Sequence, residues 1–275
     1  MKDDQPHAKP MRACSEDALV ANQDLDTPQT RAPSYRLAFQ DTDLMLRPEL
    51  RPVRLQLELL KPQMIMDELG IRSTVVMFGG ARICPADRTD EKAPPLQRDL
   101  SRYYAEAERF AYLMTQRSME DYGRDWVICT GGGPGIMEAG NKGAQEAGGH
   151  SIGLGIVLPK EPTPNAYITP ALSFNFHYFA LRKMHFLMRA RAIAVFPGGF
   201  GTLDELFEAL TLIQTKRMKE MPFLLFGRAF WERIIDWDGL VEAGMVARED
   251  LDLISYVETA EEAMAVLEAY PEREC

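Results

Sequence analysis

The chain has 275 residues, of which 46% are hydrophobic, which is enough for one large domain with a closed core. Its formal net charge of −10 argues against a broad basic surface of the kind that binds nucleic acid or an anionic membrane. The sequence contains four cysteines but no CxxC pair, no apolar run of membrane-spanning length and no secretory signal, which together predict a cytoplasmic protein.

The N-terminal quarter of the chain differs in composition from the rest. Residues 1–34 are polar, rich in Pro, Asp and Gln, and lack apolar periodicity, so we predict a flexible leader there. Residues 35–70 form a predicted helical extension, with a helix between Pro48 and Leu69 that breaks or bends near Pro62. The apolar positions of this helix are Val53, Leu55, Leu57, Leu60, Met64 and Leu69. Because one domain would not bury them all, we expect a homo-oligomer of at least two subunits.

Residues 71–275 alternate between short apolar strands and longer amphipathic helices. Such alternation predicts parallel strands joined by helical crossovers, an α/β fold with a Rossmann-like, doubly wound parallel sheet. The predicted strands are Thr74–Phe78, Trp126–Cys129, Ile152–Leu158, Ala192–Phe196 and Phe223–Phe226. The predicted helices are Leu100–Met119, Ile136–Ala147, Phe179–Ala190, Leu203–Thr215, and two more near Phe230–Trp237 and Glu261–Ala269.

Three glycine-bearing turns follow predicted strands, at the sheet edge where ligands of such folds bind. They are Gly79–Arg82, Gly131–Gly135 and Pro197–Thr202. Ordinary tight turns also favour glycine, but three such turns at one edge, each leading into a helix, favour an anion site. The dinucleotide fingerprint fails because Ile136 or Glu138 stands where its last glycine belongs, and the Walker A pattern fails because Asn141 precedes Lys142. A mononucleotide therefore fits better than NAD or ATP.

Glu205 has two interpretations. Thr202 and Glu205 have the spacing of a capping box, in which both residues only begin a helix. On the helical wheel, however, Glu205 points away from the apolar stripe and back toward the glycine turn, beside the predicted anion. A carboxylate in that place could stabilise a cationic ribosyl centre or orient water.

Four polar side chains share one face of the helix that precedes the last glycine turn. They are Tyr178, Arg182, His185 and Arg189. Arg189, at the end of the helix, is interpreted as a solvated residue that complements the helix dipole. Arg182 is suited to fork-like contact with a phosphate or a purine edge. The histidines form no metal-ligand set, so we predict no metal site, and no Ser or Cys has a hydrolytic triad around it.

Several motifs together resemble those of the LOG (Lonely Guy) phosphoribohydrolases. The matching segments are PGGFGTLDE (Pro197–Glu205) against the signature PGGxGTxxE, the pair Arg182-Lys183, the turn GGGPGIMEAGNKGA (Gly131–Ala144) and FGGAR (Phe78–Arg82). The likeness covers about residues 72–267. The leader and the Pro48–Leu69 helix are additional and resemble the longer bacterial members, and Phe-Ala-Leu precedes Arg182 where short plant-type members have Met-His-Glu.

This resemblance implies an activity and a set of site residues. The family cleaves the N-glycosidic bond of nucleoside 5′-monophosphates, cytokinin riboside monophosphates or AMP, without metal or redox cofactor, at a site completed across a homodimer interface. It implies Glu205 as the catalytic carboxylate and Arg182 as its catalytic partner. The implied substrate and phosphate contacts are Gly80, Arg82, Gly131, Gly132, Gly133, Gly135, Glu138, Lys183, Gly198, Gly199, Gly201 and Thr202.

Three other functions are less consistent with the sequence. A non-catalytic nucleotide or cofactor carrier could use the same fold and turns, but it would need the glycines without needing Glu205. Nucleic-acid processing conflicts with the acidic charge and with the lack of a basic tract. Lysine decarboxylation, an older label for such sequences, has no support, because no residue argues for a pyridoxal Schiff-base site.

Overall fold

A computed structural model describes residues 13–21, 26–90, 92–158 and 163–270 of the chain. Much of the predicted leader, residues 1–12 and 22–25, lies outside the described residues. The chain divides into two compact units, Met1–Leu57 and Glu58–Cys275. The predicted extension, residues 35–70, is therefore shared between the two units.

The first unit contains helix α1 (Cys14–Ala21), helix α2 (Thr42–Met45) and the first residues of helix α3 (Arg51–Glu68). Asp41 caps α2, because its carboxylate accepts the N–H groups of Asp43 and Leu44.

Helix α3 lies where the sequence predicts a helix, and it continues through Pro62. Proline has no N–H, so the carbonyl oxygen of Glu58, four residues earlier, lacks its usual helical donor. The His185 ring nitrogen Nε2 lies 3.1 Å from that oxygen and satisfies it instead. Pro62 and Met66 are buried, so the second half of α3 belongs to the larger unit.

The larger unit contains a seven-stranded sheet in which every pairing is parallel. Its strands are β1 (Thr74–Phe78), β2 (Val127–Thr130), β3 (Ser151–Ile156), β4 (Ser173–Phe176), β5 (Ala190–Val195), β6 (Phe223–Phe226) and β7 (Ser255–Val257). The strand order is β4-β3-β2-β1-β5-β6-β7, so the chain moves outward from β1 in one direction and then returns to its other side. This confirms the predicted α/β, doubly wound fold.

Helices connect the strands and cover both faces of the sheet. They are α4 (Pro95–Asp99), α5 (Arg102–Glu120), α6 (Ile136–Glu146), α7 (Phe179–Met188), α8 (Phe200–Gln214), α9 (Arg228–Ile234), α10 (Trp237–Glu242) and α11 (Ala260–Ala269). None of the helices in the described part of the chain is both long and apolar enough to cross a membrane.

Two apolar cores lie on opposite faces of the sheet, because alternate residues of a strand point to opposite sides. Val75 and Met77 of β1 pack with α5, α6 and α11, whereas Val76 and Phe78 pack with α3, α7, α8 and α9. The β1 residues are all buried, which explains why the strand is apolar from Val75 to Phe78.

The clearest differences from the predictions in this unit are two missed edge strands and one predicted helix that is divided in two. The edge strands β4 and β7 were not predicted, since each is short and lacks a continuous apolar run. The helix predicted near Phe230–Trp237 is two helices, α9 and α10, separated at Ile235 and Asp236. Asp236 begins the second helix by accepting the N–H of Gly239.

Candidate active site

The three glycine turns meet because they leave the adjacent strands β2, β1 and β5 at one edge of the sheet. The Gly80 N–H donates to the Pro197 carbonyl at 2.9 Å and joins the first turn to the third. The Ile136 N–H donates to the Gly80 carbonyl at 3.3 Å and joins the second turn to the first. The edge of the sheet thus carries one connected surface made of the three turns.

Gly135 is required where two of these turns cross. Its φ is +71°, and a Cβ on it would lie 2.4 Å from the Gly80 carbonyl oxygen. A side chain there would force the turns apart. Gly135 lies outside the cavity lining, so its predicted role as a phosphate contact is replaced by a structural one.

A cavity of about 940 Å³ opens above the turns. It brings together Gly80, Arg82, Gly131, Gly132, Gly133, Arg182, Gly198, Gly199, Gly201, Thr202 and Glu205, all predicted from the sequence. Its volume is ample for a nucleotide-sized ligand.

One wall of the cavity is the N-terminus of α8, which begins at Phe200 with Gly199 as its N-cap. A Cβ on Gly199 or on Gly201 would meet no atom within 4 Å, so both glycines face open space. The N–H groups of a first helical turn have no partner inside the helix and carry the positive end of its dipole. This wall is therefore suited to an anion.

The capping-box interpretation of Thr202 and Glu205 is wrong. Because α8 begins three residues earlier than predicted, at Phe200 instead of Leu203, Thr202 occupies the third helical position rather than the N-cap. Its buried side chain lies against Gly198, where a Cβ would come within 2.2 Å of the Thr202 hydroxyl oxygen. Glu205 is then free of a capping role and faces the cavity.

Arg182 projects from α7 into the cavity and is held by several contacts. Its Nε donates to the Leu154 carbonyl at 2.6 Å, and its guanidinium lies 5.0 Å from the centre of the Phe186 ring. A Cβ on Gly131 would lie 2.5 Å from the Arg182 Nη2 atom. Glycine at that position is thus required for the guanidinium to reach the site.

Glu205 and Arg182 form an ion pair across the cavity wall. Arg182 Nη1 and Glu205 Oε1 are 3.6 Å apart, and the two side chains are 11% and 14% exposed. Burial raises the pKa of Glu205 to about 7, although the Arg182 charge opposes this. A carboxyl with a pKa near 7 can act as an acid or a base at neutral pH.

Besides Gly135, two predicted site residues do not reach the cavity. Glu138 points away and accepts hydrogen bonds from Arg88 Nη2 at 2.7 Å and from the Tyr104 hydroxyl at 2.9 Å. Lys183 turns toward α8, where its Nζ lies 2.9 Å from Asp204 and 3.0 Å from Glu208. Neither lines the cavity, so their predicted substrate contacts are replaced by these pairings.

Several cavity residues were not predicted. They are apolar or amide side chains, namely Gln97, Met137, Asn175, Phe179, Phe200 and Phe230. Asn175 lies on β4, whose alternation of Phe174, Asn175 and Phe176 gives an exposed position between two buried ones. That period of two was the signal that could have identified both the strand and the residue.

Two more polar side chains, His185 on α7 and Arg189 at its end, contact α3. His185 is buried, and burial lowers its pKa, so the ring is neutral. Arg189 donates to the Ile71 carbonyl at 2.5 Å and pairs with Asp67 at 2.6 Å. The expected solvated role of Arg189 is therefore wrong, because its side chain ties the end of α7 to α3.

Known proteins are similar to this chain over a region that includes Arg182 and Glu205. The family model described as "Possible lysine decarboxylase" matches residues 137–267. The cytokinin riboside 5′-monophosphate phosphoribohydrolase LOG of Oryza sativa subsp. japonica is 30% identical over 152 residues, 54% of this chain and 62% of the relative. The pyrimidine/purine nucleotide 5′-monophosphate nucleosidase of Escherichia coli (strain K12) is 33% identical over 146 residues, 46% of this chain and 30% of the relative.

The aligned part of the chain thus spans less than two thirds of either curated relative. Among solved structures, the molybdenum cofactor carrier protein of Chlamydomonas reinhardtii is 18% identical, with a TM-score of 0.47 over 72% of this chain and 96% of that one. A likeness of this size says nothing about activity. The curated matches confirm the resemblance to the LOG phosphoribohydrolases.

Proposed function

We propose that this LOG-like chain hydrolyses the N-glycosidic bond of nucleoside 5′-monophosphates, AMP or a cytokinin riboside monophosphate among them. Water adds to C1′, the bond from C1′ to the base nitrogen breaks, and the base leaves with a proton. The products are the free base and ribose 5-phosphate. The names of both curated relatives describe action on nucleoside 5′-monophosphates.

The observation that carries the proposal is the buried pair of Arg182 and Glu205 beside the anion-binding wall. A site that only holds an anion gains nothing from a buried carboxylate next to it. The same carboxylate would stabilise the positive charge that develops on the ribosyl ring as the base departs. The pair therefore favours an enzyme over a carrier.

Each part of the cavity has a task in this mechanism. The first turn of α8 and the glycine turns bind the 5′-phosphate and so fix C1′ relative to Glu205. Ionised Glu205 stabilises the ribosyl cation or aligns the attacking water. Arg182 holds Glu205 in place and offers N–H donors to the phosphate or to the departing base.

A chromatographic screen tests the proposal. AMP, GMP, CMP, UMP and isopentenyladenosine monophosphate are each incubated with the protein in EDTA, and the released base is quantified beside the matching nucleosides. We expect at least one purine monophosphate to be hydrolysed and its nucleoside to react poorly, because the nucleoside lacks the anchoring phosphate. Equal turnover of AMP and adenosine, or loss of all activity in EDTA, would contradict the proposal.

A further inference from the structure

The segment that follows β3, residues 163–168, forms hydrogen bonds with the second glycine turn, Gly131–Gly135. The Asn165 N–H donates to the Gly132 carbonyl at 2.8 Å, and its side-chain Nδ2 donates to the Gly133 carbonyl at 3.0 Å. Ile168, from the same segment, packs so closely that a Cβ on Gly132 would lie 3.1 Å from its Cδ1 atom. Two consecutive carbonyl groups of the turn are thus fixed by one asparagine.

A buried network of polar side chains holds Asn165 in this position. Asn165 Nδ2 also donates to Asn141 Oδ1 at 2.9 Å, and the Thr130 hydroxyl donates to the same oxygen at 2.7 Å. The Gly132 N–H in turn donates to the Thr130 hydroxyl oxygen at 3.0 Å. Thr130 and Asn141 are fully buried, so the network has no competing water.

These bonds determine which N–H of the turn is available to a ligand. The Gly132 N–H is engaged by Thr130. In a trans peptide the C=O and the following N–H point in opposite directions, so the bond from Asn165 to the Gly132 carbonyl turns the Gly133 N–H away from Asn165. Gly133 lines the cavity, and the residue after it is Pro134, which has no N–H.

We propose that Asn165 is a positioning residue for the phosphate subsite, and that it acts by aiming the Gly133 N–H at the phosphate of the substrate. Thr130 and Asn141 support this role, because Thr130 accepts the Gly132 N–H and Asn141 accepts a hydrogen bond from the Asn165 side chain. This inference rests on the proposed function, since it assigns the site a 5′-phosphate. It adds a segment, residues 163–168, to the elements that build the site.

The test measures the phosphate contribution separately from turnover. In Asn165→Ala we expect the dissociation constant of ribose 5-phosphate, measured by calorimetry, to rise about tenfold, the effect of one misplaced hydrogen-bond donor. The KM for AMP should rise about tenfold as well, while kcat changes by less than about twofold. Thr169→Val is the matched control, because Thr169 directly follows the segment, and its hydroxyl oxygen accepts the Ser151 N–H and does not touch the turn.

A second pair of variants covers the case in which Asn165→Ala does not fold. Thr130→Val should weaken ribose 5-phosphate binding about tenfold, while Thr130→Ser, which keeps the hydroxyl, should bind as the wild type does. Unchanged affinity in Asn165→Ala or Thr130→Val, equal losses in Thr169→Val, or a fall in kcat alone would overturn the inference. So would a wild-type protein that does not bind ribose 5-phosphate.

The test of Asn165 can be distinguished from the test of the proposed function. If the wild-type protein binds ribose 5-phosphate but hydrolyses no nucleotide, the proposed function fails and the binding comparison still decides the role of Asn165. If nucleotides are hydrolysed but the Asn165→Ala variant binds ribose 5-phosphate normally, the proposed function stands and this inference fails.

Discussion

Glu205 is surrounded by charges that move its pKa in opposite directions. Burial is the main cause of the rise to about 7, Arg182 and Lys183 lower the pKa, and Asp204 and Glu208 raise it. Lys183 and Asp204 pair with each other outside the cavity. They can therefore tune the carboxylate without touching a substrate.

We expect kcat to rise with pH through about 7, because ionised Glu205 is the form that stabilises a cation. Lys183→Met removes a charge that favours ionisation and should move the rise to higher pH, whereas Asp204→Asn should move it to lower pH. The measurement is the pH profile of kcat for AMP in the three proteins. Identical profiles would show that the titrating group is not Glu205.

Two of the residues that sequence reasoning misplaced, Glu138 and Lys183, share one physical cause. Arg182, Glu205 and the predicted glycines other than Gly135 line the cavity as expected, because strand ends and helix faces determine their direction. Glu138 and Lys183 are long side chains whose direction depends on the partners available, here Arg88 and Asp204. Those partners lie far away in the sequence or on another helix, and nothing local predicts them.

At the scale of elements, helix α3 holds helix α7, which carries Arg182. The Glu58 carboxylate accepts the N–H groups of His177 and Tyr178 at the start of α7, at 2.9 and 3.1 Å. The Glu58 carbonyl, left without a helical donor by Pro62, accepts from His185. The buried His185 ring on α7 thus supplies the hydrogen bond that Pro62 cannot donate within α3.

This pairing predicts coupling between Pro62 and His185. His185→Phe leaves the Glu58 carbonyl unpaired in the wild-type background, but in Pro62→Ala the new Ala N–H can satisfy it. His185→Phe should therefore destabilise the Pro62→Ala protein by about 1 kcal/mol less than it destabilises the wild type. Urea unfolding of the four proteins measures this, and additive effects would contradict the account.

The elements that the sequence could predict were those with long or fully buried patterns. Strands β1 and β6 were predicted to the residue, because every position of each is buried and all of them except Thr74 are apolar. The edge strands β4 and β7 depend on pairing with β3 and β6, which is a long-range property. The start of α8 was missed because Gly201 discourages a helix locally, whereas the turn around Gly199 begins one.

At the scale of the whole molecule, the larger unit exposes apolar side chains on the helices that flank the cavity. Met184 on α7 is 46% exposed, and Phe200 at the start of α8 is 91% exposed. Leu60 and Met64, two of the apolar positions identified in the sequence of the Pro48–Leu69 helix, are exposed on α3. Exposed apolar side chains are typical of protein–protein interfaces when they form a contiguous patch.

We therefore expect a homo-oligomer of at least two subunits at micromolar concentration, measured by light scattering. Met184→Lys should shift the protein toward monomer, because it places a charge in the expected interface. Met119→Lys is the matched control, since Met119 is 48% exposed on α5, away from the cavity. A wild-type protein that is only monomeric would rule the oligomer out.

The catalytic role of Glu205 is the central claim, and Glu205→Gln tests it most directly, because the substitution removes a charge and keeps the shape of the side chain. The measurement is AMP hydrolysis beside AMP binding in the wild type and in this variant. We predict that kcat falls by about two to four orders of magnitude, an electrostatic loss of roughly 3 to 5 kcal/mol, while binding is retained or tightens because an anion near the phosphate is gone. Wild-type turnover in the Glu205→Gln protein would contradict the account.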